Sequence, residues 1–398
     1  MEKTNRSIHD LQDNTLTEEE KTELITFFQK IVQIPSVNPE GKESLVAVYL
    51  EEFFDKYQIP YEKIEVENGR YDLLAKVEGE TSEDAFLFTG HMDVVPVSAE
   101  EEKRWILPPF GGEIKEGKLY GRGSVDMKSG LCCAMFALAY LKKYGYKPKT
   151  DIFFLATIDE EDYMKGSKAA LNYPALKKVK GCIVCEPTGL HLCTAGKGRT
   201  WATVRVKGET AHGSLPSAGN NAIYQALDLT SKIRSQSFCS PETKFAFQTF
   251  WRVLAIHAQV EPKVVPDSCE LTVDARLGLS DQPSMIWETL DKLIEERKKE
   301  EPSFSAEYVI EDERPPWKQN STDRLIILLK KAMEEKQLDT NEEVFSGTTD
   351  ATFLRKLGME TVIIGPGDLS LVHRENENIS LEEVVKACEF YLEVIRQI

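Results

Sequence analysis

The chain has 398 residues, 41% hydrophobic and 29% charged, enough for two domains with sizeable cores and unlike an intrinsically disordered protein. A formal net charge of −17 argues against nucleic acid or an anionic membrane as partner, because each would repel a strongly acidic surface. Residues 1–21 are polar without a signal-type apolar stretch, the longest apolar helical run (131–141) is too short to cross a bilayer, and eight cysteines form no regular disulfide framework, so a cytoplasmic protein is expected.

Thr17-Glu18-Glu19-Glu20 reads as a capping box opening a helix with Leu24, Phe27, Phe28, Ile31 and Val32 on one face. A second helix is expected over 43–57, then strands at 71–77 and 86–90, a helix over 128–144 and a strand at 151–157. A short helix at 166–171 precedes a strand at 181–186. Strands apolar on both faces that alternate with helices predict an α/β fold, a mostly parallel sheet covered by helices.

The rhythm then changes. Strand 200–206, helix 220–233, strands 245–258 and 269–277, helix 284–299 and strand 304–310 follow the βαββαβ order of a ferredoxin-like unit. After Pro315-Pro316 the α/β pattern resumes with a helix at 323–335, a strand at 361–364 and a helix at 381–396. The expected division is a polar segment 1–17, an α/β domain built from 18–195 and 310–398, and an inserted α+β domain at 196–309.

Metal-capable side chains recur where apolar runs end. Residues 86–90 run into His91, with Asp93 two residues on, and 152–158 run into Asp159-Glu160-Glu161. Residues 182–185 run into Glu186, and 362–367 lead to His373. Gly121-Arg122-Gly123-Ser124-Val125-Asp126 places another acid just before a helix. In open α/β sheets ligands collect beyond the carboxyl ends of the strands, and two histidines with three carboxylates can hold a pair of divalent metals. Singly, each has an ordinary structural explanation: a satisfied histidine, a loop acid, an aspartate favoured at a helix N-terminus. Asp93 lies two residues along an extended segment from His91, on the same side, where a carboxylate can orient a metal-bound imidazole. Glu160 and Glu161 diverge, so one can bind metal while the other addresses a water. Cys182 and Cys185 form a C-x-x-C on a strand, where i and i+3 face opposite sides, and read as core residues.

Together the segments GHMDVVP, GRGSVDMKSG, ATIDEED, CEPT, GETAHGSLPSAGNNAI, SGTTDATF and GPGDLSLVHRENE resemble the dizinc metallopeptidase family of acetylornithine deacetylase, succinyl-diaminopimelate desuccinylase, aminoacylase and carboxypeptidase G. The resemblance spans residues 90 to 377. It implies a zinc-exopeptidase-like α/β domain with an inserted ferredoxin-like lid. It also implies two Zn²⁺ per subunit (Co²⁺ or Mn²⁺ being possible), one held by His91 and Glu186, the other by Glu161 and His373, with Asp126 bridging. Glu160 would be the general base and Asp93 the partner of His91. In the lid, His212 would stabilise the oxyanion and Arg276 would grip a substrate carboxylate. Ser346, Gly347 and Thr348 match a loop near that carboxylate. Lys263 stands where many relatives have an asparagine that contacts substrate across a dimer; a cation there suits an acidic acyl group or the substrate carboxylate. The arginine that desuccinylases carry near Ala351-Thr352-Phe353 is absent here.

The implied activity is hydrolysis of the amide of an N-acyl amino acid, with a dipeptidase or other exopeptidase as the alternative. An inactive homologue used for binding or assembly is the remote alternative. A homodimer through the lid is implied, with no nucleic-acid or membrane partner.

Overall fold

A computed structural model describes residues 15–240, 242–258 and 263–398. The polar segment 1–17 thus falls largely outside the described residues. The chain forms two compact units, the first built from residues up to Thr194 with Gln319–Phe345 and Thr349–Ile398, the second from Ala195–Lys318 with Ser346–Thr348.

The first unit is a mixed α/β layer structure. Its central strands lie in the order Thr150–Thr157, Thr81–His91, Val179–Val184 and Glu360–Ile363, and all of these neighbours pair in parallel. Phe86 sits opposite Ile152 on one side and Gly181 on the other, while Thr361 faces Cys182. The flanks are antiparallel: Arg70–Val77 pairs with Thr150–Thr157, and Tyr61–Glu67 continues outward from it. The sheet is therefore parallel only in its middle. Apolar runs such as Ile152 to Ala156 are buried on both faces there, which leaves no polar face for water.

Helices cover that sheet. Thr17 caps helix Glu18–Val32 through a full capping box with Glu20, and Leu24, Phe27, Phe28, Ile31 and Val32 are all buried. Helix Lys128–Tyr144 is buried from Lys128 to Leu141, which explains why its sequence lacks a polar stripe. Its first turn meets the sheet closely: a Cβ on Gly130 would lie 1.9 Å from the carbonyl oxygen of Cys185. Only glycine lets the helix start here, beside the end of strand Val179–Val184. Among the described residues, no helix is long and apolar enough to cross a membrane.

The second unit carries a four-stranded antiparallel sheet with Phe250–His257, Ser268–Leu277, Gly198–Lys207 and Ser305–Arg314 in that spatial order. Helices Ala222–Ser235 and Pro283–Glu300 complete the split βαββαβ pattern. Asn221 caps the first of them by accepting from the Ile223 N–H. One expected strand is shorter than its apolar pattern: 245–247 is a 3₁₀ turn, and the strand begins at Phe250. The Lys197 ammonium takes the carbonyls of Phe245 and Gln248, so a ladder is replaced by a side-chain contact.

Candidate metal centre

Four parallel strands bring their carboxyl ends to one edge of the first unit, and the acids and histidines gather beyond it. His91 is the last residue of its strand and is fully buried. Its Nε2 lies 3.0 Å from Asp126 Oδ1, 3.8 Å from Glu186 Oε1 and 4.0 Å from Glu160 Oε2. Glu186 arrives two residues after strand Val179–Val184. Asp126 precedes helix Lys128–Tyr144 and follows Gly123, whose φ of +82° places it in the left-handed region. A Cβ on Gly123 would meet Val94 at 2.5 Å, so the turn that delivers Asp126 requires glycine.

His373 sits ten residues past strand Glu360–Ile363, counting from residue 363 to 373, and has a positive φ of 60°. Its Nε2 lies 3.3 Å from Asp126 Oδ2 and 3.0 Å from Glu161 Oε2. Asp126 thus reaches a histidine with each carboxylate oxygen. Ligand atoms of His91, Glu160 and Glu186 lie within 4.8 Å of one another, as do those of His91, Asp126 and Glu161.

Asp93 does more than face His91. The imidazole Nδ1 is nearer to the Asp93 backbone oxygen (2.9 Å) than to its carboxylate (3.5 Å). That carboxylate accepts the backbone N–H groups of Glu160 at 3.2 Å and Glu161 at 3.1 Å, and the Asn38 amide at 3.0 Å. Asp159, at φ +64°, makes the turn between strand and acid pair, with Arg70 and Asn38 both bonded to its Oδ1. Asn38 and Arg70 were not legible as site residues, since neither lies at the end of an apolar run, and Asp159, which does, gave no sign that it makes the turn before the acid pair.

The electrostatics explain what such a cluster lacks. Burial pushes the Glu160 carboxyl well above the usual range, with Asp350, Glu161 and Asp126 adding to the rise against His91. Burial and Asp126 raise Glu186 and Glu161 as well. Asp126 is held low despite its burial, because both histidines bond to it. Burial would lower both imidazoles, yet their carboxylate partners hold His91 well above its ordinary value and His373 up to about 10. Buried carboxylates crowded against two imidazoles form a site short of positive charge. Two divalent cations would supply that charge, and nitrogen and oxygen donors suit zinc, cobalt or manganese. The residues present fit such ions.

This predicts an unusual pH response in metal-free protein. His373 and the three raised glutamates bind more protons folded than unfolded. Their stabilisation is complete below the unfolded values and is lost as pH rises through the folded ones. The unfolding midpoint of chelated protein is expected to fall from about pH 6 to about pH 9, and to fall less with zinc bound. Calorimetric scans across that window check it, and a rising midpoint for the chelated form would contradict it.

The other residues singled out in the sequence lie in the second unit. His212 is exposed, its Nδ1 2.8 Å from Ser214 Oγ, and Lys263 is exposed with its carbonyl accepting from Gly213 N–H. Arg276 donates to Asp274 at 3.1 Å and faces Arg199 across the sheet, as Arg314 does from the other side. Thr348 Oγ1 is 3.5 Å from Arg314, and Ser346, Gly347 and Thr348 are half-buried.

Residues 87–397 match the family described as Peptidase family M20/M25/M40. A probable succinyl-diaminopimelate desuccinylase of Staphylococcus aureus (strain Mu50) is 35% identical over 222 residues, 56% of this chain and 53% of the relative. The chain spans about half the length of that curated relative. Among solved structures, a tripeptidase from Staphylococcus aureus subsp. aureus Mu50 superposes with a TM-score of 0.75 at 20% identity, covering 94% of this chain and 98% of that one. A Bacillus subtilis protein described as a dinuclear metal binding peptidase superposes with a TM-score of 0.68 at 13% identity, covering 96% and 98%. At these identities the superpositions establish a common fold.

Proposed function

Because the chain belongs to Peptidase family M20/M25/M40, a family of metallohydrolases acting on amide or peptide bonds, we propose that it cleaves the amide of an N-acyl amino acid. Acetylornithine deacetylase or succinyl-diaminopimelate desuccinylase is the nearest description. The observation that carries this reading is the convergence of His91, Glu160, Glu161 and Glu186 from adjacent strand ends on Asp126 from the turn before helix Lys128–Tyr144, in the order and residue types of such a hydrolase. His91, Asp126, Glu161, Glu186 and His373 would hold two ions, with Zn²⁺ first in line and Co²⁺ or Mn²⁺ as substitutes.

When bound, the ions supply Lewis acidity that makes water nucleophilic near neutral pH and polarises the scissile carbonyl. Glu160 takes a proton from the attacking water on a carboxylate oxygen. It then delivers that proton to the nitrogen of the departing amine as the C–N bond breaks, leaving a carboxylic acid and a free amine. Asp93 holds the Glu160 backbone while this proton moves. His212 donates to the developing oxyanion. Arg276 takes the substrate carboxylate as a planar bidentate donor, with Ser346, Gly347 and Thr348 beside it and Lys263 available to an acidic acyl group.

A dipeptidase or other exopeptidase is the second reading, favoured by the solved tripeptidase of the same fold. An inactive binding protein is disfavoured, because the sequence retains all five proposed ligands and Glu160. We also place the chain in the cytoplasm as a homodimer. Eight unpaired cysteines suit a reducing compartment. Leu254 and Ile256 on the edge strand, with Tyr224 and Leu227 on the neighbouring helix, leave an exposed apolar face that a second copy would cover. Light scattering on the eluting protein reads that state.

A panel of N-acetyl and N-succinyl amino acids and dipeptides, offered to zinc-loaded and chelated protein, tests the reaction. Zinc-dependent release of amine from acylated amino acids is expected. Faster cleavage of dipeptides would move the assignment to the exopeptidase. No cleavage of any amide would sink the proposal.

A further inference from the structure

Two charged residues near the metal centre touch no ligand side chain, yet hold the backbone of both loops that deliver one. Glu377 is fully buried, and Arg122 is 2% exposed. Glu377 Oε1 accepts the backbone N–H groups of Val125 at 2.8 Å and Asp126 at 3.2 Å. Its Oε2 accepts from Arg122 Nη1 at 2.7 Å. The same Nη1 reaches the carbonyl of Arg374 at 3.3 Å, while Nη2 donates to Glu101 at 2.7 Å and the guanidinium lies over the Trp105 ring. Gly121 N–H donates to the Glu377 carbonyl, closing the stitch between segments 121–126 and 373–377.

A buried ion pair is often no more stable than an apolar pair of the same shape, so its value here lies in what it fixes. Asp126 is the carboxylate within 3.3 Å of both histidines, and its backbone is gripped by Glu377. His373 carries a positive φ, a conformation that persists only where its surroundings enforce it. The Arg122 contact to the next residue's carbonyl is such an enforcement.

We propose that Arg122 and Glu377 are positioning residues that set Asp126 and His373 for the ion shared with Glu161. This rests on the metallohydrolase reading. It assigns the pair to one ion more than to the other, since His91 ends a strand of the sheet and Glu186 follows another by two residues, and neither is bonded to Arg122 or Glu377.

Calorimetric titration of zinc into metal-free protein tests it, with the unfolding midpoint of each metal-free protein measured alongside. The parent is expected to take two ions per chain. Arg122→Met and Glu377→Gln are each expected to weaken the second ion by about 10–100-fold, with the first changed less than about threefold. The double variant is expected to lose no more than the worse single, because the two act as one unit. Should Arg122→Met fail to fold, Arg122→Lys keeps the charge but cannot span three acceptors, and is expected to lose the same ion. Two ions bound as tightly as in the parent would overturn the positioning role alone, as would equal weakening of both. A parent that takes up no zinc would overturn the metallohydrolase reading itself.

Discussion

Glu160→Gln is expected to lower kcat by about 10²–10⁴-fold with little change in KM, the range that follows loss of a general acid–base. Glutamine keeps the volume and one acceptor oxygen but cannot take a proton. The side chain is 9% exposed and sits 4.0 Å from His91, inside a ring of acids. Burial raises its carboxyl well above the ordinary range, which moves it toward neutrality, where a proton carrier works best. Its backbone is fixed from two sides, by the Asp159 turn and by the Asp93 carboxylate. Activity within threefold of the parent would remove Glu160 from the mechanism.

Asp126→Asn has the second large effect. The carboxylate meets His91 with one oxygen and His373 with the other, the geometry of a group shared by two ions. An amide offers one oxygen and no charge, so at least one ion should be lost. Lewis-acid stabilisation is worth several kcal/mol, so kcat/KM should drop by roughly 10³-fold or more. Zinc content by elemental analysis and initial rates on one substrate measure the two losses together. Retention of two ions with near-parent rates would exclude Asp126 as the bridge.

Much of this centre could be read from sequence because strand ends leave a mark. His91, Glu160, Glu161 and Glu186 each end an apolar run, and parallel strands buried on both faces make such runs conspicuous. The flanking strands were harder to orient. Strand Tyr61–Glu67 has no buried residue and pairs antiparallel, and an apolar run such as 71–77 carries no sign of its direction. Supporting residues left still less trace. Arg122 and Glu377 meet across 255 positions, and Asn38 reaches Asp93 across 55. Such contacts depend on tertiary packing, not on local periodicity. Asp93 is the instructive case: spacing pointed it at His91, while its shortest side-chain bonds run to Asn38 and the Glu161 backbone. That arrangement depends on the positive φ of Asp159, which short polar side chains tolerate but do not announce.

In the proposed division of labour, His91, Asp126, Glu161, Glu186 and His373 hold ions and Glu160 moves a proton. Geometry alone puts Glu160 within ligand distance of His91 and Glu186. Native mass spectrometry of zinc-loaded Glu160→Gln separates the two roles directly. Two ions per chain are expected on a protein that no longer cleaves its substrate. One ion per chain would contradict that division of labour, because Glu160 would then be a ligand and not the base.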